Sequence, residues 1–312
     1  NKMIKFLFKR ILRSIPIVFG VISISFIFMY IAPGDPALSI VGQNYNESKL
    51  NEIRDDLNLN RPVMQQYVLY VLKTIQLDFG KSYITGRKIS NDLRQKIGYT
   101  LILATSAMVF AIVFGLFFGI VAALNYKTII DRIIVLLSVI GISTPVFSVA
   151  LILIFIFGIK LQILPPTGYG SIEFLILPSI ALGMRSLTLF IRITRDSFVE
   201  IINEDYMRTA KAKGLSYNII IFKHGFKNLL IPIITIIGVD FSSYLTGAVL
   251  TESIFGWPGI GRYIVDSIMK RDFPAIQGSV LFMAFIFIMV NLIIDILYSL
   301  VNPQIREEIV DK

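Results

Sequence analysis

Two stretches of this chain, residues 100–126 and 133–159, contain no Asp, Glu, Lys or Arg. An α-helix rises 1.5 Å per residue and the hydrocarbon of a bilayer is about 30 Å thick, so about 20 apolar residues suffice to cross it. A soluble core does not need runs this long and this free of charge. Residues 15–32 and 276–294 are uncharged too, the latter reading on towards Val301. Two weaker stretches are 174–191, with Pro178 and Arg185, and 229–250, with Pro232 and Asp240. Together these predict an all-α polytopic membrane protein with six transmembrane helices. Pro145 interrupts the 133–159 run, and a single membrane helix is expected to carry on through it, neighbours satisfying the freed carbonyl. The composition agrees: 16% of residues are charged, against about 25% in a soluble domain.

The net charge of +9 is placed between apolar segments, which points to a membrane surface and not to nucleic acid. Lys2, Lys5, Lys9, Arg10 and Arg13 precede the first apolar run. That outline resembles a signal peptide. The run is too long for one, however, and it ends in Pro33-Gly34-Asp35-Pro36 without a small-residue cleavage site, so it reads as a retained helix. The positive-inside rule then sets both termini in the cytoplasm. Lys127, Arg132 and the basic stretch 192–227 fall inside as well, whereas the 251–275 loop, with Arg262, Lys270 and Arg271, is a partial exception outside.

The expected organisation is a tail and first helix (1–32), an extracellular helical segment (33–98), a core of five helices (99–303) and a cytoplasmic tail (304–312). In the extracellular segment Leu50, Ile53 and Leu57 share one helix face. Tyr67, Val68, Val71, Leu72 and Ile75 form a second stripe, and Ile89, Leu93 and Ile97 a third. These suit amphipathic helices lying on the membrane surface or on the other helices, or a docking surface for an extracellular partner. Between the fourth and fifth spans, residues 200–228 read as two short helices joined at Gly214, glycine being the usual residue where a helix ends with positive φ. Without cysteine, and with His224 as the one histidine, the chain has no thiol nucleophile and no HExxH metal site. No catalytic, cofactor-binding or metal-binding residues are expected.

Arg185 and Asp240 both fall near the middle of their spans on consecutive helices. Ionisable groups at that depth cost roughly 2.5–3.5 kcal/mol each on insertion scales, so the default reading is functional. The two pair with each other, fix helix packing, or line an aqueous pathway. The run Gly256-Trp257-Pro258-Gly259 predicts a sharp return of the chain, followed by a short amphipathic helix carrying Ile260, Tyr263, Ile264 and Ile268. Trp257, Pro258, Gly259 and Tyr263 are candidates for an outer gate or an interfacial anchor.

The stretch EDYMRTAKAKGLSYNIIIFKHGFKNLLIPIIT resembles the ATPase-coupling loop of binding-protein-dependent ABC importers of the oligopeptide, dipeptide and nickel type. At the positions of the general motif (Glu-Ala-Ala, three residues, Gly) stand Arg208-Thr209-Ala210, Lys211-Ala212-Lys213 and Gly214. The leading Glu-Ala is absent, as is common in the peptide branch. PGDP at 33–36, LNLNRPVMQQY at 57–67, LDFGKSYITGRKI at 77–89, ESIFGWPGIGRYIVDSIMKRDFPAIQG at 252–278 and NPQIR at 302–306 resemble the same branch in order. They point to the first permease of the pair.

The resemblance implies a bacterial cytoplasmic-membrane permease that forms a heterodimer with a sister permease. Two cytoplasmic ATPases would hold ATP and Mg, and an extracellular or periplasmic binding protein would deliver a peptide. Import of nickel or a metal chelate is the alternative within this architecture; an ATP-independent channel or secondary transporter is the alternative outside it. No GxxxxGK[ST] loop is present, so the chain should not hydrolyse ATP itself. Glu204, Asp205, Arg208, Thr209, Ala210, Lys211, Ala212 and Gly214 would form the coupling element, with the two alanines permitting close approach.

Overall fold

The computed structural model describes residues 2–31, 37, 47–56, 59–203 and 226–301. Regular structure among them is helical, beside one isolated antiparallel bridge between Lys81 and Lys88. In chain order the helices are α1 (Lys2–Ile31), α2 (Glu47–Asp56), α3 (Val63–Ile75), α4 (Ile89–Leu124), α5 (Ile129–Ser143), α6 (Val146–Leu153), α7 (Glu173–Asn203), α8 (Phe226–Gly247), α9 (Val249–Phe255), α10 (Ile260–Met269) and α11 (Phe273–Val301). Four of them hold spans long and apolar enough to cross a membrane alone: Phe8–Phe28, Ile89–Leu124, Glu173–Ile201 and Phe273–Ile294. Two bent pairs, α5 with α6 and α8 with α9, bring the number to six when each pair is one span.

The bends depart from the expected continuous helices. α5 and the helix that starts at Val146 meet at 108°. Proline lacks an N–H and forces the residue before it out of the α region. Thr144 accordingly has φ −88° and ψ 123°, and Pro145 φ −59° and ψ 141°. The Thr144 hydroxyl donates back to the Ile140 carbonyl at 2.7 Å. The Pro145 carbonyl accepts from the Ser148 and Val149 N–H groups and so starts α6. α6 then passes into a π-helical turn, Ile154–Lys160. The second pair bends by 57° around Ala248. Pro16, Pro178 and Pro232 all remain inside helices.

The stripe at Ile89, Leu93 and Ile97 is also not a separate surface helix. It is the opening of α4, which runs unbroken past residue 98. By their contacts the described residues divide into two units. One holds the chain up to Thr100 with Pro258–Ile293; the other holds Leu101–Trp257 and the residues from Ile294.

In the first unit α3 packs on α1. Gln66, Val71 and Thr74 are buried, while Val68, Leu72 and Ile75 point away, so the expected stripe is split between two faces. Ile22, Val71 and Leu281 form the centre, with Tyr67, Tyr70 and Phe79 around them. The Tyr67 and Ser23 hydroxyls lie 2.7 Å apart. Phe26 meets the Tyr67 ring edge-on at 5.3 Å.

In the second unit α7 is the central element. Gly115 and Gly119, one turn apart on α4, seat Phe190 and Thr194 of α7; a Cβ at either glycine would lie 2.4 Å or 2.6 Å from the opposing Cβ. On α5, a Cβ at Gly141 would meet the Thr188 methyl at 2.5 Å. Small residues permit such backbone approach, the main means of helix association where lipid is as apolar as the side chains. Val149, Ala150, Leu177, Ala181 and Phe255 form a buried cluster in the same unit.

Candidate functional site

The coupling-element residues Glu204, Asp205, Arg208, Thr209, Ala210, Lys211, Ala212 and Gly214 lie outside the described residues, as does His224. What is described is the support that leads into them. α7 ends at Asn203. Eight residues earlier, about 12 Å along the axis, Arg195 grips Asp131 in the first turn of α5. Its Nε donates to Oδ1 at 2.6 Å and its Nη2 to Oδ2 at 2.9 Å. The third nitrogen, Nη1, reaches Asp196 at 2.7 Å.

The turn before α5 is shaped to present this carboxylate. Lys127 takes a left-handed φ of 65°, rare for a residue with a side chain, and its N–H donates to Asp131 Oδ2 at 3.0 Å. The Arg195 guanidinium lies 5.3 Å from the centre of the Tyr126 ring. Asp131 is only 3% exposed. A bidentate arginine on a buried carboxylate fixes both position and rotation, so the C-terminal part of α7 is held to the α4–α5 turn.

The intramembrane charges are placed differently from one another. Asp240 of α8 is buried and accepts a hydrogen bond from the Ser186 hydroxyl of α7. Arg185, the next residue, is exposed, and no ion pair joins it to Asp240 among the described residues. Tyr244, one turn beyond Asp240, is buried as well. The carboxylate is thus held by the Ser186 hydroxyl and not by the neighbouring guanidinium.

The predicted return of the chain is present. α9 stops at Gly256, which adopts φ 68°. The N–H of Trp257 reaches back to the Glu252 carbonyl at 2.8 Å, the bond pattern of a glycine-terminated helix. Trp257 is 5% exposed. In the first unit, Gly259 precedes α10, and the Ile260 N–H donates to the Thr100 hydroxyl at 3.0 Å. Tyr263 lies 3.5 Å from Asp92 Oδ2, with the Lys96 ammonium 5.3 Å from its ring centre. Burial, then the Asp92 and Asp272 carboxylates, push the Tyr263 hydroxyl up to about 12, so it stays protonated.

Asp272, just before α11, carries a long-range tie in this unit. It accepts from the Ser82 hydroxyl at 2.5 Å and from the Tyr83 N–H at 3.1 Å. Burial, with Asp272 beside it, raises the Tyr83 hydroxyl to about 12. Neither Asp272 nor the Asp131–Arg195 pair stands out in the sequence. The signal for the pair was opposite charge at the ends of two spans that proved to be neighbours. For Gly115 and Gly119 it was the four-residue spacing of small residues in an apolar run.

Comparison with known proteins gives a consistent picture. Residues 115–307 match the family described as binding-protein-dependent transport system inner membrane component, and residues 3–104 match its N-terminal family. The chain is 39% identical over 304 residues to the glutathione transport system permease protein GsiC of Escherichia coli strain K12, covering 97% of this chain and 99% of that protein. The protein of the same name from Shigella boydii serotype 4 is 38% identical over the same length and shares. Among solved structures, an inward-facing form of the MetNI methionine ABC transporter matches with a TM-score of 0.57 at 14% identity, covering 67% of this chain and 96% of that one. That likeness is one of fold.

Proposed function

The chain belongs to the family of binding-protein-dependent transport system inner membrane components, and on that premise we propose how its parts serve import. As a member it is a polytopic permease subunit of an ABC importer. We infer that it forms half of a translocation pathway with a sister permease. Two cytoplasmic ATPases with ATP and Mg drive it, and an extracellular or periplasmic binding protein supplies the solute. Both termini face the cytoplasm, and residues 33–98 face outward.

The solute is peptide-like. The observation that carries this is 39% identity, over 97% of the chain, with a permease named for glutathione, itself a tripeptide. The 204–214 loop seats in a groove of an ATPase. When the ATPases close, the loop moves and α7 moves with it. The Arg195–Asp131 grip makes α5 follow α7 instead of letting the end of α7 bend alone. Arg185 is exposed and faces the pathway, whereas Asp240 is held by Ser186 and sets helix packing. Trp257, Pro258, Gly259 and Tyr263 belong to the outer mouth.

The test is reconstitution of the full importer in liposomes with its binding protein. Labelled glutathione, longer peptides and nickel chelates are offered with and without ATP. ATP-dependent uptake of a peptide is expected, and Gly214→Val should abolish both uptake and stimulation of ATPase activity. Uptake of a metal chelate alone would move the substrate class. Unchanged stimulation in Gly214→Val would sink the coupling assignment.

A further inference from the structure

In the first unit an apolar pocket of ≈ 230 Å³ lies between α1 and α11. Val18, Val21 and Ile22 form one wall, and Ala284, Phe285 and Ile288 the other. All six belong to the spans Phe8–Phe28 and Phe273–Ile294, and Thr74, Ile75, Leu77 and Phe79 from the segment after α1 close the other side. A second recess of ≈ 170 Å³, largely apolar in its walls but rimmed by charged side chains, meets it along Thr74, Phe79 and Leu281. Lys73, Lys81, Asp78, Tyr83 and Gln277 line this recess. Among the described residues neither lysine has an ion-pair partner. The Asp78 carboxylate is turned to the Gly80 N–H at 3.1 Å.

We propose that the two cavities together are a phospholipid site. The recess holds an anionic head group between Lys73 and Lys81, and the pocket takes one acyl chain. The inference rests on the reading that α1 and α11 cross the membrane. A free phosphate would use the recess and leave the apolar walls unexplained. A choline or ethanolamine head would bring its own cation against the lysines, which outnumber the single carboxylate. A phosphatidylglycerol-like lipid satisfies both halves: one negative charge at the lysines, and methylenes against valine, isoleucine and phenylalanine.

The experiment is native mass spectrometry of the purified, delipidated importer complex, titrated with phosphatidylglycerol or phosphatidylcholine. Glycerol phosphate serves as the chainless probe. One tightly held phosphatidylglycerol is expected, at roughly 25-fold lower concentration than phosphatidylcholine. Lysines near a membrane surface attract anionic lipid with about a fivefold effect each, so Lys73→Gln with Lys81→Gln should remove the preference and leave phosphatidylcholine unchanged. Ala284→Phe fills the pocket and should weaken both lipids in a complex that still assembles.

Equal retention of the two lipids by the unmodified complex would overturn the proposal. So would full competition by glycerol phosphate, which needs no pocket. Disulfide capture of Phe285→Cys by the sister permease would show that protein, not lipid, fills the seam. Uptake assays on the same samples separate this idea from the transport reading: a complex that binds the lipid selectively but moves no solute supports the site and counts only against transport.

Discussion

α7 and α1 both hold membrane-length spans, and they are built on opposite plans. Within the most apolar stretch of each, 61% of the α7 span is buried inside the chain and 17% of the α1 span. The buried helix is the more polar: its mean hydropathy is 1.8, against 2.2 for α1. In water that ordering would be reversed. In lipid, apolarity gives no reason to leave the solvent, and helices associate through close packing and polar contacts. α7 brings Gly183, Ser186, Thr188, Thr194 and Arg195 to its neighbours. α1 presents Ile24, Ile27 and Phe28 outward.

The largest test of this contrast is a matched pair of substitutions. Gly119→Leu forces a side chain into Thr194 and the Ile191 carbonyl of α7. Overpacking of this kind costs about 3 kcal/mol, and the complex should melt far lower or fail to accumulate. Gly20→Leu on α1 meets nothing within 4 Å and should leave the melting temperature in detergent within error. Equal losses from both would erase the distinction.

Next is the grip at the end of α7. Arg195→Ala leaves the buried Asp131 carboxylate without its partner. Breaking a buried pair costs 3–5 kcal/mol in a sealed interior, and partial exposure of the arginine, at 19%, reduces this to about 2 kcal/mol. The double variant Asp131→Asn/Arg195→Ala should recover part of that in the same thermal assay. If the grip also carries motion, the double variant regains stability but not ATPase stimulation. Recovery of both would make it a packing contact alone.

A smaller effect is expected within the membrane. Asp240→Asn keeps an acceptor for Ser186 and removes a buried charge, so stability should change by about 1 kcal/mol or less. Arg185→Gln should leave stability unchanged and lower solute uptake. Reversed outcomes, an unstable Arg185→Gln with intact uptake, would move the functional charge from α7 to α8. The smallest effect belongs to Ile24→Leu on α1, within about 0.5 kcal/mol.

The sequence was most readable where a physical rule acts on neighbours in the chain. Charge-free runs located the helices, and Gly256 with Trp257 marked a real turn. It was least readable where distant residues meet. Nothing near Asp131 names Arg195 as its partner, and nothing near Asp272 names Ser82, because helix packing decides such pairs. Arg185 and Asp240 show the converse: opposite charge at similar depth suggested a pair, but one residue along a helix turns a side chain by about 100°, and Ser186 faces Asp240 instead. Pro145 reads in the sequence as a tolerated interruption, but the backbone it forces on Thr144 makes a corner there.

That corner has a consequence for the order of synthesis. Pro145 returns no N–H to Gly141, and the surface that closes over Gly141 belongs to Thr188, which leaves the ribosome on the order of a few seconds later. During that interval the half-made protein has a bent, incompletely covered backbone where the bilayer is driest. Site-specific cross-links from position 145 should therefore reach the insertion machinery in nascent chains that stop before Thr188, and lose it once α7 is complete. α7 thereby sets the moment at which the more sharply bent of the two broken spans can be left to the lipid.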